Sequence, residues 1–177
     1  MKFDKNWTLF LDRDGVINKR TPGDYIKKWT DFIFMPDTIE AIKKLSTIFG
    51  RIVVVTNQAG IGKGLMTEAR LTRMHHLMVK NITEQGGRID KVYFAPDLHI
   101  NASNRRKPGT GMPLDAQKDF PEIDFTRSIM VGDANSDMEM GDRLGMIKVF
   151  IEGKGDDPSV WKPHFRFDSL GAFTNSL

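Results

Sequence analysis

The segment FLDRDGVIN, residues 10–18, sets Asp12 and Asp14 one residue apart where an apolar run ends. Two carboxylates held that close repel each other when both are ionised. Water, a cation or a function must offset that cost. A second acidic pair follows in GDANSD, where Asp137 stands four residues after Asp133. Thr56 and Asn57 open TNQAGIGKG, and Lys107 lies in RRKPGTG. A carboxylate can attack phosphorus and carry the phosphoryl group as an acyl phosphate. That chemistry needs a cation to quench the repulsion between the attacking anion and the phosphate. It needs hydroxyl and amide donors for the phosphoryl oxygens and a lysine for the growing charge. It also needs a second acid to protonate the leaving alcohol and then take a proton from water. The inventory matches these roles: Asp12 as nucleophile, a metal at Asp12 and Asp133, Thr56 with the amides after it, Lys107, and Asp14.

Each motif alone has a plainer reading. Asp-x-Asp-Gly is good turn chemistry. A calcium loop would need an oxygen ligand at Val16, a glycine at Ile17 and a glutamate at Gly23, so that reading is rejected. GIGKG, residues 60–64, would need glycine at Asn57 and Ser or Thr at Gly64 to be a Walker loop. It remains either a flexible connection or a substrate-contacting loop. Asp137 would fall in the first turn of a helix starting near residue 135, where an acid also serves as a cap. Three acids at one edge, with no His or Cys among them, favour Mg²⁺.

The elements that must hold these residues alternate strand and helix. Strands are expected at residues 7–11, 51–56, 91–95, 128–132 and 146–151. Ile39, Ile42, Leu45 and Ile48 share one face of a helix that opens on Pro36 and an Asp37 cap and stops at Gly50. A long helix over residues 67–85 turns Leu71, Met74, Met78 and Ile82 inward. Shorter helices follow at MPLDAQKDF and SDMEMGDRLG, and the tail holds HFRF and a weak terminal helix. This order predicts an α/β fold: a three-layer, Rossmann-like, doubly wound parallel sheet in a single domain over residues 1–177. Ligands of such sheets bind beyond the carboxyl ends of the strands. DRDG, TNQAGIGKG and GDANSD all fall at strand ends, and RRKPGTG closes the loop after the third strand. That convergence is the strongest argument the residues make.

Bulk composition narrows the class. The chain has 177 residues, 40% hydrophobic and 28% charged, as in a soluble globular protein. No apolar run approaches the ~18 residues of a membrane helix. MKFDKNW has no apolar leader and the chain has no cysteine, so a cytoplasmic location is expected. The net charge of +3 suits a phosphorylated substrate, and nucleic-acid binding is disfavoured without a basic aromatic track. Monomer and dimer stay open.

FLDRDGVIN, TNQAGIGKG, RKPGTGM and VGDANSDMEMG, in that order over residues 10–141, resemble the haloacid dehalogenase-like phosphatases. Within them the chain is most similar to the branch of heptose bisphosphate and histidinol-phosphate phosphatases. The resemblance implies Asp12 as nucleophile and metal ligand, and Asp14 as general acid and base whose backbone carbonyl also binds Mg²⁺. It implies that Thr56 and Asn57 hold the phosphate and that Lys107 bridges phosphate and Asp12. Arg106 and Gly15 are assigned to the substrate, and Arg13 is expected to point away from the metal, toward substrate or out to solvent. Asp133 is a metal ligand, and Asp137 a metal-site residue that supports Lys107 or a metal-bound water. Relatives of this kind often carry a cysteine zinc loop. Here the equivalent residues are Ala95, Pro96 and Asp97, then Ser103, Asn104 and Arg105, which excludes it and opens the question of substrate. Ala134 stands where relatives often have a basic residue. No interval is long enough for a large cap domain. Tyr25, Trp29, Phe32 and Phe34 lie where the family places a small flap, and either cover the site or simply pack. His75, His76 and His99 are expected at the surface or its boundary.

The function expected is a Mg²⁺-dependent phosphatase of a small phosphorylated metabolite such as heptose 1,7-bisphosphate. Histidinol phosphate and a polynucleotide 3′-phosphate are rival substrates. From other classes, a phospho-receiver module would keep its acid pair on a different strand from its phosphorylated Asp, and a non-catalytic binder would not need the full set.

Overall fold

The computed structural model describes residues 2–21, 23–153 and 156–177. Its centre is a parallel sheet of six strands, β1 Thr8–Leu11, β2 Arg51–Asn57, β3 Lys91–Ala95, β4 Ser128–Gly132, β5 Ile147–Ile151 and β6 Phe165–Phe167. The spatial order is β3-β2-β1-β4-β5-β6. Five of these strands stand where the hydrophobic runs place them. β6 is an addition from the tail: His164 and Phe165–Phe167 dock on the edge of β5, with Val149 paired to Phe165.

The β-branched run of β2 is buried on both faces, as a parallel strand requires. Alternate residues of the strands serve two separate cores. Leu9, Leu11, Val54 and Val131 pack with α1 (Thr38–Ile48), α2 (Glu68–Glu84) and α5 (Leu170–Asn175). Phe10, Val53, Val55 and Met130 pack with Met112 and Ala116 of α3 (Gly111–Asp119) and Met140 of α4 (Asn135–Arg143). The three-layer, doubly wound expectation is met. Among the described residues no helix is long and apolar enough to cross a membrane.

One local reading is corrected and one left open is decided. Asp37 does not cap α1 with its side chain. It sits in the left-handed region at φ 58°, and Thr38 behind it is buried with its hydroxyl on the Val16 carbonyl at 3.4 Å. Trp29, Phe32 and Phe34 form an aromatic cluster, with ring centroids 5.0 Å apart for Trp29–Phe32 and 5.2 Å for Phe32–Phe34, set against the α1 and α2 core. They are packing residues, and of the four aromatics only Tyr25 reaches the cavities described next.

The fold positions the site through register. β1 pairs with β2 on one side and β4 on the other, with Leu11 level with Val54 and Val131. The strand order reverses at β1, so a crevice opens beyond the carboxyl ends of β1, β2 and β4.

Candidate active site

Asp12 follows β1 directly, and its N–H donates to the Val131 carbonyl at 2.9 Å. This bond extends the sheet by one residue and fixes the side chain at the crevice. Its Oδ1 accepts from the Arg13 N–H at 2.7 Å and lies 2.8 Å from Lys107 Nζ. Asp133 enters from the end of β4 and Asp137 from the first turn of α4. The carboxylates of Asp12, Asp133 and Asp137 each bring an oxygen within 4.8 Å of the other two, and all three residues are buried. Asp137 does both things expected of it: Oδ2 accepts from the Ala134 N–H at 3.1 Å, and Oδ1 lies 2.6 Å from Lys107 Nζ.

Glycines let these chains meet. Gly15 has φ +95°, and a Cβ there would fall 1.9 Å from Asp133 Oδ2. At Gly132 a Cβ would fall 2.3 Å from the Asp137 side chain. Gly15 is therefore required for the loop to cross the acids, and no substrate contact is needed to explain it.

Lys107 is 4% exposed and also donates to the Val55 carbonyl at 2.9 Å. Burial works to discharge it, but Asp12 and Asp137 hold its pKa above the usual lysine range. Burial pushes the Asp137 carboxyl up to about 7, with Lys107 opposing the shift and Asp12 and Asp133 adding to it. Burial also raises Asp133, against the pull of Arg20. Arg20, absent from the sequence reading, places its guanidinium on both oxygens of Asp133 and its Nη2 3.8 Å from Asp12 Oδ2.

Some of the other candidates sit differently from expectation. Asn57 spends its side-chain amide on the Lys107 backbone, donating to the carbonyl at 3.0 Å and accepting from the N–H at 2.9 Å. It fixes the loop that carries Lys107. Arg13 is neither at the surface nor in the crevice. It is 1% exposed, pairs with Asp14 and lies 3.0 Å from His75 Nε2. His75 is likewise buried at 6%, whereas His76 and His99 are exposed. Thr56 Oγ1 accepts from Gln58 Nε2 at 2.9 Å, which leaves its own O–H as a donor. Arg106 donates to the Asp97 carbonyl at 3.1 Å.

Two cavities adjoin. One of about 200 Å³ is lined by Asp12, Asp14, Thr56, Arg106, Lys107 and Ser136, among others. The other, of about 630 Å³, is lined by Asp14, Arg20, Tyr25, Asn57 and Lys63, among others. Asp14 belongs to both.

Burial and the Arg13 charge depress the His75 pKa to about 3. A histidine neutral in the fold and charged when unfolded contributes stability above its unfolded value near 6.5, lost as pH falls toward 3. The unfolding free energy is expected to drop by up to roughly 1.4 kcal/mol per pH unit across that window from this residue. Urea titrations of the parent and His75→Gln at several pH values would check it: the variant's slope should be shallower.

A sequence model of the polynucleotide kinase 3 phosphatase family matches residues 2–156. The chain belongs to that family. It is a haloacid dehalogenase-like phosphatase, and with no cysteine it carries no cysteine-loop zinc. It is 40% identical over 134 residues to a D-glycero-alpha-D-manno-heptose-1,7-bisphosphate 7-phosphatase of Mycobacterium bovis, covering 76% of this chain and 70% of the relative. It is 36% identical over 158 residues to the beta-anomer enzyme of Rhodopseudomonas palustris, covering 85% and 86%. Among solved structures, the D,D-heptose 1,7-bisphosphate phosphatase of B. bronchiseptica, complexed with magnesium and phosphate, superposes with a TM-score of 0.86 at 25% identity, covering 96% of this chain and 97% of that one.

Proposed function

We propose that this phosphatase removes one phosphoryl group from a sugar bisphosphate of the heptose 1,7-bisphosphate kind, through a phosphoaspartate on Asp12. The observation that carries the chemistry is Lys107 Nζ set between Asp12 and Asp137 at 2.8 and 2.6 Å, with Asp133 beside them. The names of the relatives and the two adjoining cavities support the substrate class. The relatives include both anomers, so neither is preferred.

Three buried carboxylates with oxygen ligands only fit a hard divalent cation. Asp12, Asp133 and Asp137, with the Asp14 carbonyl, would hold Mg²⁺, which would supply positive charge against the phosphate and the attacking carboxylate. The chain's own residues do the rest. An Asp12 carboxylate oxygen attacks phosphorus, the P–O bond to the sugar breaks, and Asp14 gives its proton to the departing alkoxide. Asp14 then takes a proton from water, whose oxygen attacks phosphorus and breaks the bond to Asp12. Inorganic phosphate leaves, Asp12 is regenerated and Asp14 is again protonated. Lys107 and the Thr56 hydroxyl stabilise the phosphoryl oxygens throughout.

The larger cavity is the place for the remainder of the substrate. Lys63 lines it, with its ammonium 5.2 Å from the centre of the Tyr25 ring, and Arg20 lines it too. A second phosphate there would meet charge-assisted donors. Lys63→Ala is expected to raise KM for a bisphosphate roughly tenfold or more. Monophosphate turnover should be little changed. Phosphate release from heptose 1,7-bisphosphate anomers, histidinol phosphate, hexose phosphates and a 3′-phosphorylated oligonucleotide, with Mg²⁺ and with EDTA, tests the whole reading. Preference for histidinol phosphate or the oligonucleotide would overturn the substrate, and turnover undiminished in EDTA would overturn the metal.

A further inference from the structure

Behind Asp14 lies a network of hydrogen bonds that runs back through buried Arg13 to α2. The Arg13 guanidinium donates to Asp14 through Nη2 at 2.8 Å to Oδ1 and 2.9 Å to Oδ2, with Nε 3.3 Å from Oδ1. Asn18 Nδ2 adds a bond to Oδ1 at 2.9 Å and Gln58 Nε2 one to Oδ2 at 2.7 Å. Both oxygens are therefore held, and the rotamer of Asp14 is fixed by its neighbours. Arg13 is the largest fully buried side chain in the protein's described residues. A four-torsion side chain places a carboxylate only if its own far end is tied. Here Nη1 lies 3.0 Å from His75 Nε2 and 3.9 Å from Met74 Sδ, both on α2. Facing a guanidinium, which has only donors, His75 Nε2 must accept, so the ring is neutral with its hydrogen on Nδ1.

We propose that Arg13 and His75 are positioning residues for proton transfer, and that α2 sets the aim of Asp14 through them. The proposal rests on the reading of Asp14 as the proton carrier. It gives this ion pair, buried at its Arg13 end, a task other than stability, for which such pairs are weak evidence. His75 acts on the reaction without approaching substrate.

The test separates aim from stability by the leaving group. An alkyl phosphate needs its departing oxygen protonated, whereas 4-nitrophenyl phosphate does not. Because kcat/KM covers steps up to the first irreversible one, it reads phosphorylation of Asp12. In His75→Leu and in Arg13→Lys, the ratio of kcat/KM for the sugar phosphate over that for 4-nitrophenyl phosphate should fall about tenfold or more, and His75→Gln, which keeps an acceptor, should restore it to within about threefold. Arg13→Lys decides the matter if His75→Leu does not fold, with melting curves as the control. Variants that are active and folded, yet keep the parent's ratio, would overturn the inference alone. A parent inactive on both substrates would overturn the phosphatase chemistry and this inference with it.

Discussion

Asp12→Asn is expected to lose steady-state turnover by about 10⁴-fold or more in kcat, with the fold intact. The amide has the shape of the carboxylate but cannot attack phosphorus. Its effect on stability should be small and of the opposite sign. Asp12 shares a buried cluster with Asp133 and Asp137, and both of those carboxyls are pushed up partly by its charge. Removing one negative charge relieves that repulsion, although the 2.8 Å contact with Lys107 is weakened. The variant should therefore melt at or slightly above the parent in EDTA. Two measurements check this: kcat on the best substrate of the panel, and mass spectrometry of acid-quenched protein, where the parent shows a phosphorylated peptide spanning residue 12 and the variant none. A residual kcat within about tenfold of the parent would remove Asp12 from the nucleophile's role.

The parts of this site written at strand ends were legible in the sequence. A parallel sheet buried on both faces leaves an unmistakable run such as RIVVVT, and whatever polar residues follow it must lie at the crevice. Asp12, Thr56 and Asp133 were placed by that rule alone. Arg20 was not, because it lies in an irregular stretch with no periodicity to say where it points. Its partner Asp133 is 113 positions away. His75 carried a signal that was passed over. Leu71, His75, Met78 and Ile82 are spaced four, three and four apart, which is a helix's inward stripe, and all four are buried. Only its chemistry, a ring nitrogen facing a guanidinium from 62 positions away, needed the fold. Asn57 has a second task that its position did not show. Its position at the end of β2 is where a phosphate ligand belongs, but an amide can donate and accept at once, and the Lys107 peptide offers it both partners. β6 was too short, at three residues, for alternation to register.

Lys107→Met should be the most damaging change to stability and should also slow turnover, and the two losses should respond differently to Mg²⁺. The lysine is the cation nearest to two of three buried carboxylates, 2.8 Å from Asp12 and 2.6 Å from Asp137. Methionine fills the volume but leaves those charges without their partner. Removing one member of a buried ion pair typically costs about 3–5 kcal/mol. Asp137, already raised to about 7 by burial, limits the loss by binding a proton once its lysine is gone, and Arg20 still offsets Asp133. A loss of about 3 kcal/mol in EDTA is expected from urea unfolding. A divalent cation placed against the same three carboxylates replaces much of the missing charge, so Mg²⁺ should recover a good part of the stability. It should not recover the rate. The ammonium must also meet the phosphoryl oxygens as charge builds on them, and losing one such preorganised donor costs about 10²–10³-fold in kcat. Stability that returns with Mg²⁺ while turnover stays low would separate the two tasks of Lys107. If the variant is as stable as the parent in EDTA, the three acids are not held ionised around the lysine, and the electrostatic account of the crevice fails at its centre.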